Sequence, residues 1–300
     1  MGKERVAVIR LVLLAAAVLS QASQAFAQEY SESVEGQYRI SRDVVYVTTG
    51  SWEGRLDVYH RSDADAPLPT LVWIHGGSST GGSKDGAIFS LLPYLEQGWN
   101  VVNVEHRLAG VTLAPAALQN VHCALRWVRE NATEFGFDDA RIVISGASSG
   151  GWFAVAAAMA PKPEGLDELC PGPNRPPVAA VVNWYGNWDL ADVLEGPNAK
   201  GYASGWVRGL PDPMGVAESL SPLPIREGQA PPVISVHGDA DAVVPYSQSI
   251  RLHEALEAAG IPQVLVTIPG GRHGGFTRSE NQSAFEAIWT FLEQQGNAPP

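Results

Sequence analysis

Uninterrupted apolar runs recur along this chain, each closed by small or polar turn residues. TLVWIHGG (70–77), NVVNVEHR (100–107), RIVIS (141–145), VAAVVNWYG (178–186), PVISVHGD (232–239) and QVLVTIPGG (263–271) lack the alternation of a half-exposed strand. They read as strands buried on both faces. Between them ALQNVHCALRWVREN (117–131), the Ala-rich stretch Phe153–Met159, SIRLHEALEAAG (249–260) and SAFEAIWTFLEQQ (283–295) read as helices, and Gly260 stops the third. Val34–His60 alternates polar and apolar residues with a break at TTGSWEG (48–54), which predicts two antiparallel edge strands. Short apolar strands alternating with helices predict an α/β fold, a mostly parallel central sheet with helices on both faces. The region 190–229 breaks this rhythm and is rich in Gly, Pro and Trp, so it is expected to be a small lid-like insertion.

In such sheets the working loops lie at the carboxyl ends of the strands. One strand ends in His75-Gly76-Gly77, the next candidate in Gly146-Ala147-Ser148-Ser149-Gly150, the third in HGDADAVVP (237–245) and the last in GGRHGGF (270–276). A strand that reverses into a helix through Gly-x-Ser-x-Gly is a nucleophile elbow, which lifts the Ser148 hydroxyl above the sheet. A free hydroxyl is a poor nucleophile and needs a base. His273, flanked by glycines, is the candidate. A carboxylate beside an imidazole fixes its tautomer and stabilises its protonated form, and Asp241 or Asp239 can supply it. Asp239 comes first in its loop, where its carboxylate can take local backbone N–H groups, as turn aspartates often do. Asp241 lies further out, just before AVVP, which favours Asp241 as the acid. The oxyanion of an acyl-transfer intermediate needs N–H donors, and Gly76, Gly77 and Ser149 offer them.

With these residues in place the chain resembles the α/β-hydrolases, and among them the secreted carboxylesterases and feruloyl-esterase-like enzymes. The resemblance runs from about Val45 to Leu292. It implies Ser148 as nucleophile, Asp241 as acid, His273 as base, and Gly76, Gly77 and Ser149 as oxyanion donors. HGDADAVVPYSQS looks like the family's acid loop, and NVEHRLA looks like the lipase-type YRLA segment with His106 in the Tyr place. Ser78 stands where many relatives have a third glycine, and the elbow reads Gly-Ala-Ser-Ser-Gly-Gly. These departures place the chain nearer the feruloyl-esterase and dienelactone-hydrolase side than the true lipases. The implied reaction is hydrolysis of a small-molecule ester through an acyl-enzyme, without cofactor. Short acyl or aromatic acids are expected to be preferred over long fatty chains. Two alternatives are an exported peptidase of the prolyl-oligopeptidase type and a catalytically silent binding protein on the same scaffold. The peptidase usually carries a large propeller, for which about 270 mature residues leave no room.

Composition adds compartment and partners. The chain has 300 residues, 45% of them hydrophobic, with a net charge of −12. An acidic chain without a basic run is a poor ligand for nucleic acid or anionic membrane. Residues 1–27 carry Lys3, Arg5 and Arg10, then LVLLAAAVL, then AFA, the pattern of a signal peptide cleaved after Ala27. Removal brings the charge to −14 and predicts a secreted or periplasmic chain with one domain over 28–300. An oxidising compartment permits a disulfide. On the helix at 116–134, Val121, Ala124, Leu125 and Val128 share one face and Cys123 points roughly opposite. The loop LDELCPGPN (166–174) is the candidate cover, which predicts a Cys123–Cys170 bridge. Seven histidines without ligand spacing predict no metal site. His75 and His237 are expected to be structural, with no catalytic partner, and His253 to lie at the surface. Trp184, Tyr185 and Trp188 after a strand, and Trp152 after the elbow, are expected to wall a substrate pocket.

Overall fold

The computed structural model describes residues 36–78, 80–159, 169–170, 178–222, 224–225, 228 and 230–299. The proposed leader at 1–27 lies outside them. Residues 40–300 form one unit. Its centre is an eight-stranded sheet: β1 Tyr38–Thr49, β2 Trp52–Arg61, β3 Leu68–Ile74, β4 Asn100–Val104, β5 Phe137–Ala147, β6 Ala180–Trp184, β7 Val233–Gly238 and β8 Gln263–Ile268. The spatial order is β1-β2-β4-β3-β5-β6-β7-β8. β2 runs antiparallel to β4, and from β4 to β8 every pairing is parallel. A two-residue link joins β1 to β2, which only antiparallel neighbours allow. β1 forms one edge of the sheet and β8 the other.

β3, β4, β6 and β7 are buried along their whole length. This is why they carry continuous apolar runs, since helices cover both faces of a parallel sheet. The helices are α1 Ile88–Glu96, α2 Ala114–Glu130, α3 Ala132–Phe135, α4 Ser149–Met159, α5 Leu190–Leu194, α6 Gly201–Val207, α7 Pro213–Ser219, α8 Ser247–Ala258 and α9 Arg278–Gln294. α4 is buried from Ser149 to Ala157, so it has no polar face to display. α1 has no counterpart among the helices read from the sequence, and Pro93 sits inside it. The described part of 190–229 holds three short helices, α5 to α7, which pack on one another. Cys123 on α2 is bonded to Cys170, with a Cα–Cα distance of 5.6 Å. The expected bridge is therefore present, and it ties α2 to the segment that follows α4. No helix among the described residues is long and apolar enough to cross a membrane.

Candidate active site

The elbow is built by backbone contact. β5 is central, between β3 and β6, and runs directly through Ser148 into α4. Ser148 adopts φ +56°, a left-handed conformation that a non-glycine residue rarely holds. Its N–H donates to Trp184 O at 2.9 Å, which fixes the turn against β6. A Cβ on Gly150 would collide with the carbonyl oxygens of Ile74 and His75, and one on Gly146 with Gly150 and Ile74. Gly146 and Gly150, two residues to either side of the serine, are thus closed to any larger residue.

The structure brings Ser148, His273 and Asp241 into one hydrogen-bonded chain, although 125 residues separate the serine from the histidine. His273 Nδ1 is 2.7 Å from Asp241 Oδ2, and His273 Nε2 is 2.7 Å from Ser148 Oγ. A carboxylate only accepts, so Nδ1 carries the proton and Nε2 is left to accept from the hydroxyl. The Asp241 side chain is fully buried. Its Oδ1 accepts from the Val243 and Val244 N–H groups at 2.7 and 3.0 Å, and its Oδ2 also lies 3.1 Å from His237 Nε2. Burial disfavours the charge. The hydrogen bonds from His237, His273 and Val243 outweigh it and hold the Asp241 carboxyl well below the usual range. Asp239 is exposed and accepts from Gly270 N at 2.6 Å, on the loop that carries His273. The local backbone donors expected at Asp239 go instead to Asp241.

Gly76 comes up against Ser148: a Cβ there would lie 3.3 Å from the Ser148 Cβ and would meet Ala147 O. Gly77, at φ +131°, accepts at its carbonyl from Thr80 and Gly81 N–H, and Ser78 is left-handed at φ +51°. The Ser149 N–H opens α4 beside Ser148. A residue that the sequence reading passed over holds this loop. Glu105 Oε1 is 2.8 Å from His75 Nε2, and Oε2 accepts from Lys84 N at 3.0 Å. One carboxylate thus pins both ends of the 75–84 segment. Burial opposes ionisation of Glu105, but the His75 contact and the Lys84 N–H lower its pKa overall. The Lys84 ammonium in turn meets Asp57 at 2.8 Å and Asp43 at 3.0 Å. The one sequence signal was position: Glu105 precedes His106 in the YRLA-like segment.

Two spaces adjoin the chain of three. A recess of about 10 Å³ is lined by Ser148, Ser149, Trp152, Leu190, Tyr202 and Trp206, among others. A cleft of about 440 Å³ starts at Ala147, Tyr185 and Gly274 and runs out past Trp184, Phe285 and Arg278. Tyr185 is left-handed at φ +42°, and its ring meets His273 edge-on at 4.9 Å. Trp152, Trp184 and Tyr185 therefore line these spaces. Trp188 does not. It is 2% exposed, part of the core, with Arg251 over its ring at 5.9 Å and its backbone N–H on Gln248. Two histidines also depart from expectation. His253 is 5% exposed rather than superficial, bonded to Gln263 Oε1 at 2.6 Å, and burial pushes its pKa down to about 4. His237, expected to lack a catalytic partner, touches Asp241. Among the described residues no group of three or more His, Cys, Asp and Glu side chains is placed to hold a metal ion.

A mostly parallel sheet with Ser148 at an elbow after its central strand, and Asp241 and His273 after later strands, defines an α/β-hydrolase fold. The chain belongs to the BD-FAE family, whose pattern matches residues 56–256. It is 32% identical over 227 residues to esterase LipC of Mycobacterium tuberculosis, covering 73% of this chain and 56% of that protein. It is 30% identical over 238 residues to esterase LipQ of the same organism, covering 75% and 55%. The chain thus spans little more than half the length of these curated relatives. Among solved structures, a truncated carbohydrate esterase from gut microbiota matches with a TM-score of 0.71 at 27% identity, covering 87% of this chain and 97% of that one. A thermophilic esterase from Thermogutta terrifontis with propionate bound matches with a TM-score of 0.71 at 27% identity, covering 88% and 96%.

Proposed function

We propose that the chain is an exported serine esterase that cleaves carboxylic esters of short or aromatic acids. The observation that carries this reading is the unbroken path Ser148 Oγ–His273–Asp241, with 2.7 Å at each step. His273 Nε2 takes the hydroxyl proton as Ser148 Oγ attacks the ester carbonyl. Asp241 stabilises the imidazolium that forms. The N–H groups of Gly76, Gly77 and Ser149 receive the tetrahedral oxyanion. Collapse breaks the bond to the alcohol oxygen, which leaves with the proton from His273. Water, deprotonated by the same imidazole, then releases the acid from Ser148 and regenerates the hydroxyl.

The two spaces support the size preference. The recess beside Ser148, about 10 Å³, is far smaller than the cleft of about 440 Å³, so it suits a short acyl chain while the cleft accepts a ring. The Thermogutta terrifontis relative was solved with propionate and with butyrate bound, acids of this short class. Export is supported by the signal-peptide pattern of residues 1–27 and by the disulfide, which suits an oxidising compartment. A fluorophosphonate probe tests the chemistry: it labels wild-type protein and leaves Ser148→Ala unlabelled. A wild-type chain that resists the probe is a binding protein and ends the proposal.

A further inference from the structure

Asp241 has a histidine on each side. On the accessible side, His273 links its Oδ2 to the Ser148 hydroxyl. On the buried side His237 Nε2 lies 3.1 Å from the same Oδ2, and His237 Nδ1 lies 2.7 Å from Ser249 Oγ. The arrangement is a five-membered chain, Ser–His–Asp–His–Ser, with one end at the substrate and the other in the core. His237 and Ser249 are both 0% exposed. His237 Nε2 also faces the Val244 carbonyl at 3.2 Å. Both of its Nε2 neighbours are acceptors, so that nitrogen carries a proton, and Nδ1 is left to face the Ser249 hydroxyl. The ring thus reaches from β7 to Ser249 on α8 and to Asp241 in the turn between them.

We propose that His237 is a positioning residue for catalysis, which holds the Asp241 carboxylate by its inner side and shares the charge that His273 would otherwise receive alone. The inference rests on the esterase reading above. Asp241 has four donors: the Val243 and Val244 N–H groups on Oδ1, and the His273 and His237 rings on Oδ2. His237 is the donor that shares Oδ2 with the base without itself reaching Ser148. Removing it leaves Oδ2 with a single donor in a buried site. His273 then receives a stronger and less directed partner, and the angle at which Nε2 meets Ser148 Oγ is no longer set.

The test compares two substitutions. Glutamine places its Nε2 near that of histidine and keeps the donor. Leucine keeps volume and loses it. His237→Leu is expected to lower kcat about 10- to 100-fold with KM within about twofold, a smaller loss than removal of the acid itself. His237→Gln is expected to recover most of it. Proton NMR of the low-field His273 Nδ1–H gives a readout independent of turnover: it moves downfield in the leucine variant and stays near the wild-type position in the glutamine variant. A folded His237→Leu protein with unchanged kcat and unchanged resonance overturns the proposal. Equal loss in both variants also overturns it, because packing and not the donor would then be responsible. If the leucine variant does not fold, Ser249→Ala carries the test, since it frees the far side of the ring without touching Asp241, and wild-type kcat and resonance there overturn the proposal. Ser148→Ala run in parallel separates the two readings: full activity in that variant defeats the esterase assignment, whatever the His237 variants do.

Discussion

Two aspartates two positions apart do different work because of what each can reach. Asp241 is buried and touches His273; Asp239 is exposed and touches the Gly270 N–H. Asp241→Asn therefore presents His273 in the wrong tautomer, and kcat is expected to fall by about 10⁴ with the fold intact. Asp239→Asn is expected to keep most of the turnover, its cost falling on the loop that carries the base. Measuring kcat and the unfolding midpoint of both purified variants distinguishes them, and the reverse ranking would refute the assignment of the acid. Ser148, His273 and Asp241 were legible in the sequence as one site because each follows an apolar strand and carries its own turn residues, and the structure brings the three together. His237 was not: along the chain it is one more residue of a buried strand, and its contact with Asp241 exists only once the 237–241 turn has closed. Trp188 misled for the opposite reason. Its neighbours Trp184 and Tyr185 line the cleft, but the chain turns away at Gly186 and carries the third ring into the core.

Among elements, the buried strands are plain in the sequence and their coverings less so. β3, β4, β6 and β7 announce themselves because a strand covered on both faces tolerates few polar side chains. α1 was missed: Pro93 interrupts its sequence pattern, and Phe89, 83% exposed, sits on its outer side. β5 begins at Phe137, four residues before the apolar run, since Phe137 pairs with Leu68 of β3 across a register shift before Thr70 meets Ile142. The disulfide was legible from a helix with two apolar faces. It closes 47 residues, and in the chain-entropy account such a bridge stabilises by about 4 kcal/mol. The Cys123→Ala/Cys170→Ala double variant is expected to lose most of that in denaturant titration while keeping kcat, because neither cysteine adjoins the cleft or the recess. An equal midpoint with and without the bridge would show that the closed segment is ordered by other contacts.

For the whole molecule, acid is expected to weaken the fold over a defined range. Burial, with a further contribution from His75, pushes the pKa of His106 down to about 4, and burial does the same to His253. Both are neutral when folded and take up a proton on unfolding below their ordinary value near 6.5, so the unfolded state binds more protons there. Stability should hold above about pH 6.5 and decline progressively towards about pH 4. Asp241, with its depressed pKa, adds a further loss below the ordinary carboxylate range. Denaturant midpoints across pH 4–8 check the slope, and His253→Asn, whose amide can take the place of Nδ1, should flatten part of it. On substrates, acetyl to butyryl esters should turn over faster than dodecanoyl esters, and the reverse order would contradict the small recess. Ser148 directly follows central β5, whereas His273 follows β8, an edge strand paired on one side and partly solvated along Gln263–Thr267. Edge strands fray at a lower free energy than central ones. Warming should therefore silence the protein before it melts: β8 amides exchange with solvent and turnover fades while the tryptophans of the core still report a folded state.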